Sequence, residues 1–171
     1  GADVAKFQTR DNKLLLTDEQ YNSPHPVQDN SYGNTYGEHR EFLEFSQDQH
    51  CELKNYCENI GIQYSSSVWE INSARKISEL KPSFIKVPSA CNNNFEMLKV
   101  LRDHYNGEIQ ISFGMTTRDE IEEVICFFEK NSILPGSFIK TLYHSIVFSI
   151  ILKPEYLVSQ LSIFRDLFEF M

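Results

Sequence analysis

The sequence predicts an α/β protein assembled from parallel β/α units. Two observations carry this. Strand and helix patterns alternate at a nearly constant interval from Ile62 onward, and the strand patterns end repeatedly in Lys and Ser. Strand–helix–strand spacing of this kind joins parallel strands through helical crossovers.

The opening Ala2–Gln8 reads as a strand, as do Ile62–Val68, Phe84–Val87 and Ile109–Ser112. A fifth is expected over about Ile139–Val147. Between them lie helices with a 3.6-residue apolar period. His50, Leu53, Cys57 and Ile60 share one face of a helix over about Gln47–Ile60. Ser46 and Gln49 are placed to cap it, and Gly61 supplies a left-handed stop. Ile71, Ala74 and Ile77 mark a second helix, and Phe95, Leu98, Leu101 and Tyr105 a third. The strongest pattern is Ile121, Val124, Ile125 and Phe128, preceded by the capping pair Thr117 and Glu120. A last helix is expected over about Pro154–Phe168.

The 171 residues suit one domain, and 13 Phe with 8 Tyr give its core large side chains. A net charge of −8 argues against a nucleic-acid partner, which needs a concentrated basic surface. The apolar stretch Leu142–Leu152 is interrupted by polar residues and is shorter than the ~20 residues of a bilayer-spanning helix. Cys51, Cys57, Cys91 and Cys126 form neither a C-x-x-C pair nor a short metal spacing, which favours a reduced, cytoplasmic protein. His25, His39, His50, His104 and His144 are scattered and read as surface or helix-face residues.

Both an open doubly wound sheet and a (β/α) barrel fit this order. Neither G-x-G-x-x-G nor G-x-x-x-x-G-K-[ST] occurs, which removes the usual nucleotide-binding open sheets. A full barrel needs eight strands and about 250 residues, so the barrel reading implies an incomplete one. The regular spacing fails at about residues 9–45, a turn-rich polar stretch with interspersed aromatics. A connection of that length inside a compact domain is usually functional or disordered. Following a strand's C-terminal end, it reads as a lid or substrate loop.

Parallel strands carry their active residues at their C-terminal ends. Those ends hold Lys6 and Gln8, Ser65-Ser66-Ser67, Lys86 with Ser89, and Ser112 followed by Gly114. Two ammonium groups with hydroxyls and loop N–H groups make a cradle for a phosphorylated metabolite.

At these same positions the chain resembles the N-acetylneuraminate (sialic acid) synthase family. The resemblance rests on Gly1-Ala2-Asp3-Val4-Ala5-Lys6-Phe7-Gln8-Thr9, Tyr64–Trp69, Phe84–Ser89 and Ile111–Thr116, and spans about residues 1–130. It implies an incomplete (β/α)8 TIM-type barrel of about five parallel strands, lacking its first strand and C-terminal part. It also implies condensation of phosphoenolpyruvate with N-acetylmannosamine, giving sialic acid and phosphate with a divalent Mn or Mg ion as Lewis acid. A synthase of the related legionaminic or pseudaminic acids, or a non-enzymatic remnant of such an enzyme, are the alternatives. A Schiff-base aldolase, with Lys6 or Lys86 as the amine, is a further one. By position, Lys6, Ser66, Lys86, Ser89 and Ser112 match phosphoenolpyruvate contacts, with Gln8 beside the first. Asn34 is the candidate for the amino sugar, and the full-length family member is expected to form a homodimer.

The chain also departs from the family. Ser89 is followed by Ala90-Cys91 where an acid is usual, and Phe113 would crowd the site if it pointed inward. Ile146 and Val147 stand where the family has polar pocket residues, and the family's metal-binding histidines have no counterparts. The resemblance thus implies a chain without metal ligands and without synthase activity of its own.

Overall fold

The computed structural model describes residues 1–130 together with the strands at 138–143 and 146–150. Six strands form one sheet in sequential order: β1 (Val4–Thr9), β2 (Gln63–Val68), β3 (Phe84–Val87), β4 (Glu108–Ser112), β5 (Phe138–Tyr143) and β6 (Ile146–Ile150). β1 to β5 are parallel, as expected for a barrel built unit by unit. The single strand expected over about 139–147 is instead two. β6 runs antiparallel to β5, with Tyr143 opposite Ile146. Only two residues separate the strands in sequence, far too few for a parallel crossover. The helix expected over about 154–168 lies outside the described residues.

Four helices follow the strands: α4 (Gln47–Asn59), α5 (Ile71–Leu80), α6 (Phe95–His104) and α7 (Arg118–Lys130). The caps of α4 and α7 are those the sequence indicates. Ser46 and Gln49 form a reciprocal capping box on α4, and Gly61 ends that segment at φ +75. Thr117 and Glu120 exchange bonds at the start of α7, and accepting the Thr117 N–H and hydroxyl holds the Glu120 carboxyl below its usual range.

Burial alternates along β3 and β4 with a period of two. Ile85, Val87, Ile109 and Ile111 are fully buried against Ala74, Ile77, Met97, Leu98, Leu101, Ile121, Val124 and Phe128 of the helices. Each such side chain contributes about 1.5–3 kcal/mol by leaving water. Phe84, Lys86, Glu108, Gln110 and Ser112 occupy the other face and stay partly exposed. The helix-covered face holds the core, and the opposite face carries the polar residues.

The stretch over 9–45 is folded. It forms three short helices, α1 (Asn12–Leu15), α2 (Asp18–Asn22) and α3 (Tyr36–Phe42), with a 3-10 turn at Gln28–Asn30. Thr17 and Gln20 make a second capping box at α2. Gly37 lets α3 approach α2, since a Cβ there would lie 2.3 Å from the Tyr21 ring. The base of the insertion is closed by Arg10, whose side chain donates to Glu44 at 2.6 Å while its backbone N–H donates to the other oxygen of the same carboxylate at 3.1 Å.

Candidate functional site

Strand register decides which of the strand-end residues meet. In a parallel pair, aligned residues project to the same face, so Lys6 aligns with Ser65, Gln8 with Ser67, and Ser67 in turn with Lys86. Lys86 aligns with Gln110 of β4, two residues before Ser112. Lys6, Gln8, Ser67, Lys86 and Ser112 therefore share the face opposite the helices. The side chains of Lys6 and Lys86 make no hydrogen bond or ion pair among the described residues. Burial lowers the Lys86 ammonium below the usual lysine range, and the nearby Lys6 charge lowers it further. Two cations held together without a counter-ion define a place for an anion.

Ser89 begins a 3-10 turn at Ser89–Cys91, directly after Pro88. A Cβ on Gly114 would lie 3.4 Å from Ser89 Cβ and Oγ, so the loops following β3 and β4 adjoin. Asn92, which no sequence motif singles out, joins them. Its amide donates to the Ser112 carbonyl at 3.0 Å and to Thr116 Oγ1 at 2.7 Å. Asn92 is buried, so these bonds fix the end of β4 beside Ser89.

Ser66 does not join this group. It lies on the helix-facing side, where its Oγ and Thr9 Oγ1 are 2.8 Å apart. Thr9 Oγ1 is also 3.1 Å from His50 Nε2, and the Tyr64 hydroxyl is 2.7 Å from His50 Nδ1. Ser66 thus belongs to a buried polar network beneath α4, while its neighbour Ser67 faces the lysines. Alternation along β2 was the signal that could have separated them. Burial of His50 lowers its imidazole below the usual range, with Lys76 adding to the effect, and burial pushes the Tyr64 phenol up.

Asn34 is exposed in the insertion, its N–H donating to Glu38 Oε2 at 2.7 Å, and no hydrogen bond joins it to the strand ends. Phe113 is 3% exposed and packs in the helix-side core, so it does not crowd the lysine face. Cys91, in the position where an acid was expected, is buried. Burial pushes its thiol up to about 12 despite the opposing influence of Lys86, so it remains protonated and supplies no negative charge. Asn12, buried just beyond β1, has no hydrogen-bond partner for either amide atom among the described residues. Those residues also contain no group of three or more His, Cys, Asp or Glu able to hold a metal ion. They include no helix long and apolar enough to cross a membrane.

A sheet of parallel β/α units in sequential strand order is the architecture of part of a (β/α) barrel. The chain belongs to the NeuB family, which matches residues 1–135. It is 34% identical over 129 residues to the N-acetylneuraminate-9-phosphate synthase of Drosophila melanogaster, a match covering 73% of this chain and 33% of that protein. The human protein of the same name is 36% identical over 124 residues, covering 72% of this chain and 34% of its own length. The chain thus spans about a third of the curated relatives it matches. Among solved structures, the sialic acid synthetase of Leptospira borgpetersenii superposes with a TM-score of 0.61 at 17% identity, covering 82% of this chain and 43% of that one. The likeness to that structure establishes a shared fold, of which this chain carries consecutive β/α units.

Proposed function

We propose that the C-terminal ends of β1 to β4 form the phosphoenolpyruvate cradle of a nonulosonate synthase. The observation that carries this reading is the unneutralised Lys6–Lys86 pair on the sheet face opposite the helices. Phosphoenolpyruvate presents a phosphate and a carboxylate, and two ammonium groups flanked by Gln8, Ser67, Ser89 and Ser112 offer charge and directional bonds to both. In the proposed reaction the enol carbon attacks the aldehyde of an open-chain N-acetylmannosamine. Water adds at the carbon bearing the phosphate ester, and inorganic phosphate leaves. The relatives named as 9-phosphate synthases favour an acceptor that already carries a phosphate over the free amino sugar. A divalent Mn or Mg ion would polarise the aldehyde oxygen. The described residues do not fit as its ligand set, so their part is to bind and orient the three-carbon acid.

Titration of the chain with phosphoenolpyruvate, followed by hydrogen exchange, tests the cradle. Protection is expected at the ends of β1 and β3. Lys86→Ala should weaken it at least about tenfold, since hydrogen bonds to charged groups are worth about 1.5–3 kcal/mol each. An unchanged exchange pattern near Lys6 and Lys86 would sink the reading.

One observation favours a second reading. A lysine with a lowered ammonium pKa is also what a Schiff-base aldolase requires, and Lys86 has that character. Borohydride reduction in the presence of pyruvate separates the two. Covalent mass added at Lys86 supports the aldolase, and an unmodified lysine supports the anion cradle.

A further inference from the structure

We propose a second anion site, for a phosphate monoester, at the opposite end of the sheet from the cradle. A cleft of ≈ 590 Å³ is lined by Arg75, Ser78, Glu79, Lys81 and His104. Lys81 immediately follows α5 and leads into β3, while His104 ends α6 ahead of β4. The cleft therefore lies toward the N-terminal ends of the strands, away from Lys6 and Lys86. Its size falls within the range of small-molecule sites, roughly 300–1,000 Å³.

Cations near helix C-termini are ordinary, because they complement the carbonyl end of the helix dipole. Two features here go beyond that. Ser78 is only 3% exposed, yet its hydroxyl has no hydrogen-bond partner among the described residues. A buried hydroxyl left without a partner is costly, and turning it into the cleft that Ser78 lines would let a ligand oxygen satisfy it. Lys81 holds the left-handed conformation at φ 49, ψ 59, a position that glycine or asparagine occupies at lower cost. The chain thus keeps a cation where backbone preference alone would place a glycine.

The charges fit an oxyanion. The side chains of Arg75, Lys81 and His104 make no hydrogen bond or ion pair among the described residues. The one acid, Glu79, is turned toward α4, where it accepts from Gln47 Nε2 at 2.8 Å. In a chain of net charge −8, a cleft with two uncommitted permanent cations, an imidazole and a buried hydroxyl is a local exception. Arginine and lysine supply the charge that a phosphate dianion needs, and Ser78 supplies a directional donor to one of its oxygens.

The test is a titration of isotope-labelled chain with inorganic phosphate at constant ionic strength, in a Lys86→Ala background so that the cradle does not respond. Saturable amide shifts are expected at residues 75–81 and 104. Lys81→Gly should weaken them about tenfold, the loss of one charge-assisted contact, while melting no earlier than its parent because glycine adopts φ 49 without strain. Arg75→Gln, on an exposed helix position, should weaken them similarly and serves if the glycine variant misfolds. The proposal is overturned if these amides do not saturate with phosphate, if chloride at equal ionic strength shifts them equally, or if neither variant changes the affinity.

Discussion

Ser65, Ser66 and Ser67 are consecutive and chemically identical, and the pleat of β2 gives them separate roles. Ser65 donates to the Phe84 carbonyl at 2.8 Å, Ser66 enters the Thr9–His50 network, and Ser67 faces Lys86. Two substitutions therefore diverge. Ser66→Ala leaves Thr9 short of one partner and should lower stability by about 1 kcal/mol, with phosphoenolpyruvate binding intact. Ser67→Ala should leave the urea midpoint unchanged and weaken that binding severalfold. Equal stability losses in both would mean that the assignment of faces is wrong. The same network makes a pH prediction. The His50 imidazole is lowered in the folded chain, whereas in the unfolded chain it titrates near the ordinary value of about 6.5. As pH falls below that value the unfolded state takes up a proton that the folded state refuses, so stability present above it is lost on acidification. The urea midpoint should drop between pH 7 and 5.5, and His50→Gln should flatten the drop in that window.

The insertion over 9–45 shows what was hidden at the scale of elements. Its helices contain only four, five and seven residues, too few for a 3.6-residue period to declare itself. What the sequence did carry was local chemistry: the Thr17–Gln20 capping box and Gly37. The longer helices were legible because Ile121, Val124 and Phe128 repeat over two turns and are buried accordingly. The β5–β6 boundary is hidden for a related reason, because His144-Ser145, the two residues between the strands, carry no Gly, Pro, Asn or Asp turn signal. Stability of the insertion depends on close approach rather than apolar burial. Tyr32 stacks on His39 and Phe42, yet Tyr32 and Phe42 are both exposed. Gly37→Ala places a methyl group inside the Tyr21 ring contact, so α2 and α3 must separate. Limited proteolysis should then cut within residues 11–43 at least about tenfold faster, while the sheet's amide protection is retained. Loss of sheet protection as well would show that the insertion is integral to the core.

For the whole molecule, sequence motifs located the lysine face because strand-end residues are set by alternation and register, both local properties. Metal ligands are set by parts of a fold distant in sequence, and the described residues contain no group of three or more His, Cys, Asp or Glu able to hold an ion. No hydrogen bond joins Asn34 to that face, and Cys91 contributes a protonated thiol where an acid was expected. We expect this chain by itself to bind phosphoenolpyruvate without turning it over. On the proposed reading, the lysines and serines neutralise and orient the three-carbon acid. Condensation further requires the acceptor aldehyde to be held near attack distance and its developing oxyanion to be stabilised, and those terms dominate such a rate. Among the described residues the sheet also presents β1 and β6 as its edges, with Phe45, Tyr56 and Ile60 exposed nearby in sequence on α4 and its flanks. Unpaired edges and apolar surface favour self-association, so sedimentation should show concentration-dependent oligomers even at a net charge of −8. Supplying phosphoenolpyruvate, N-acetylmannosamine or its 6-phosphate, and manganese to the purified chain, and following phosphate release, tests the activity directly. Release at the no-protein background is the expected result when binding is seen in the same sample. Turnover above that background would mean that acceptor and oxyanion contacts are already present in this chain.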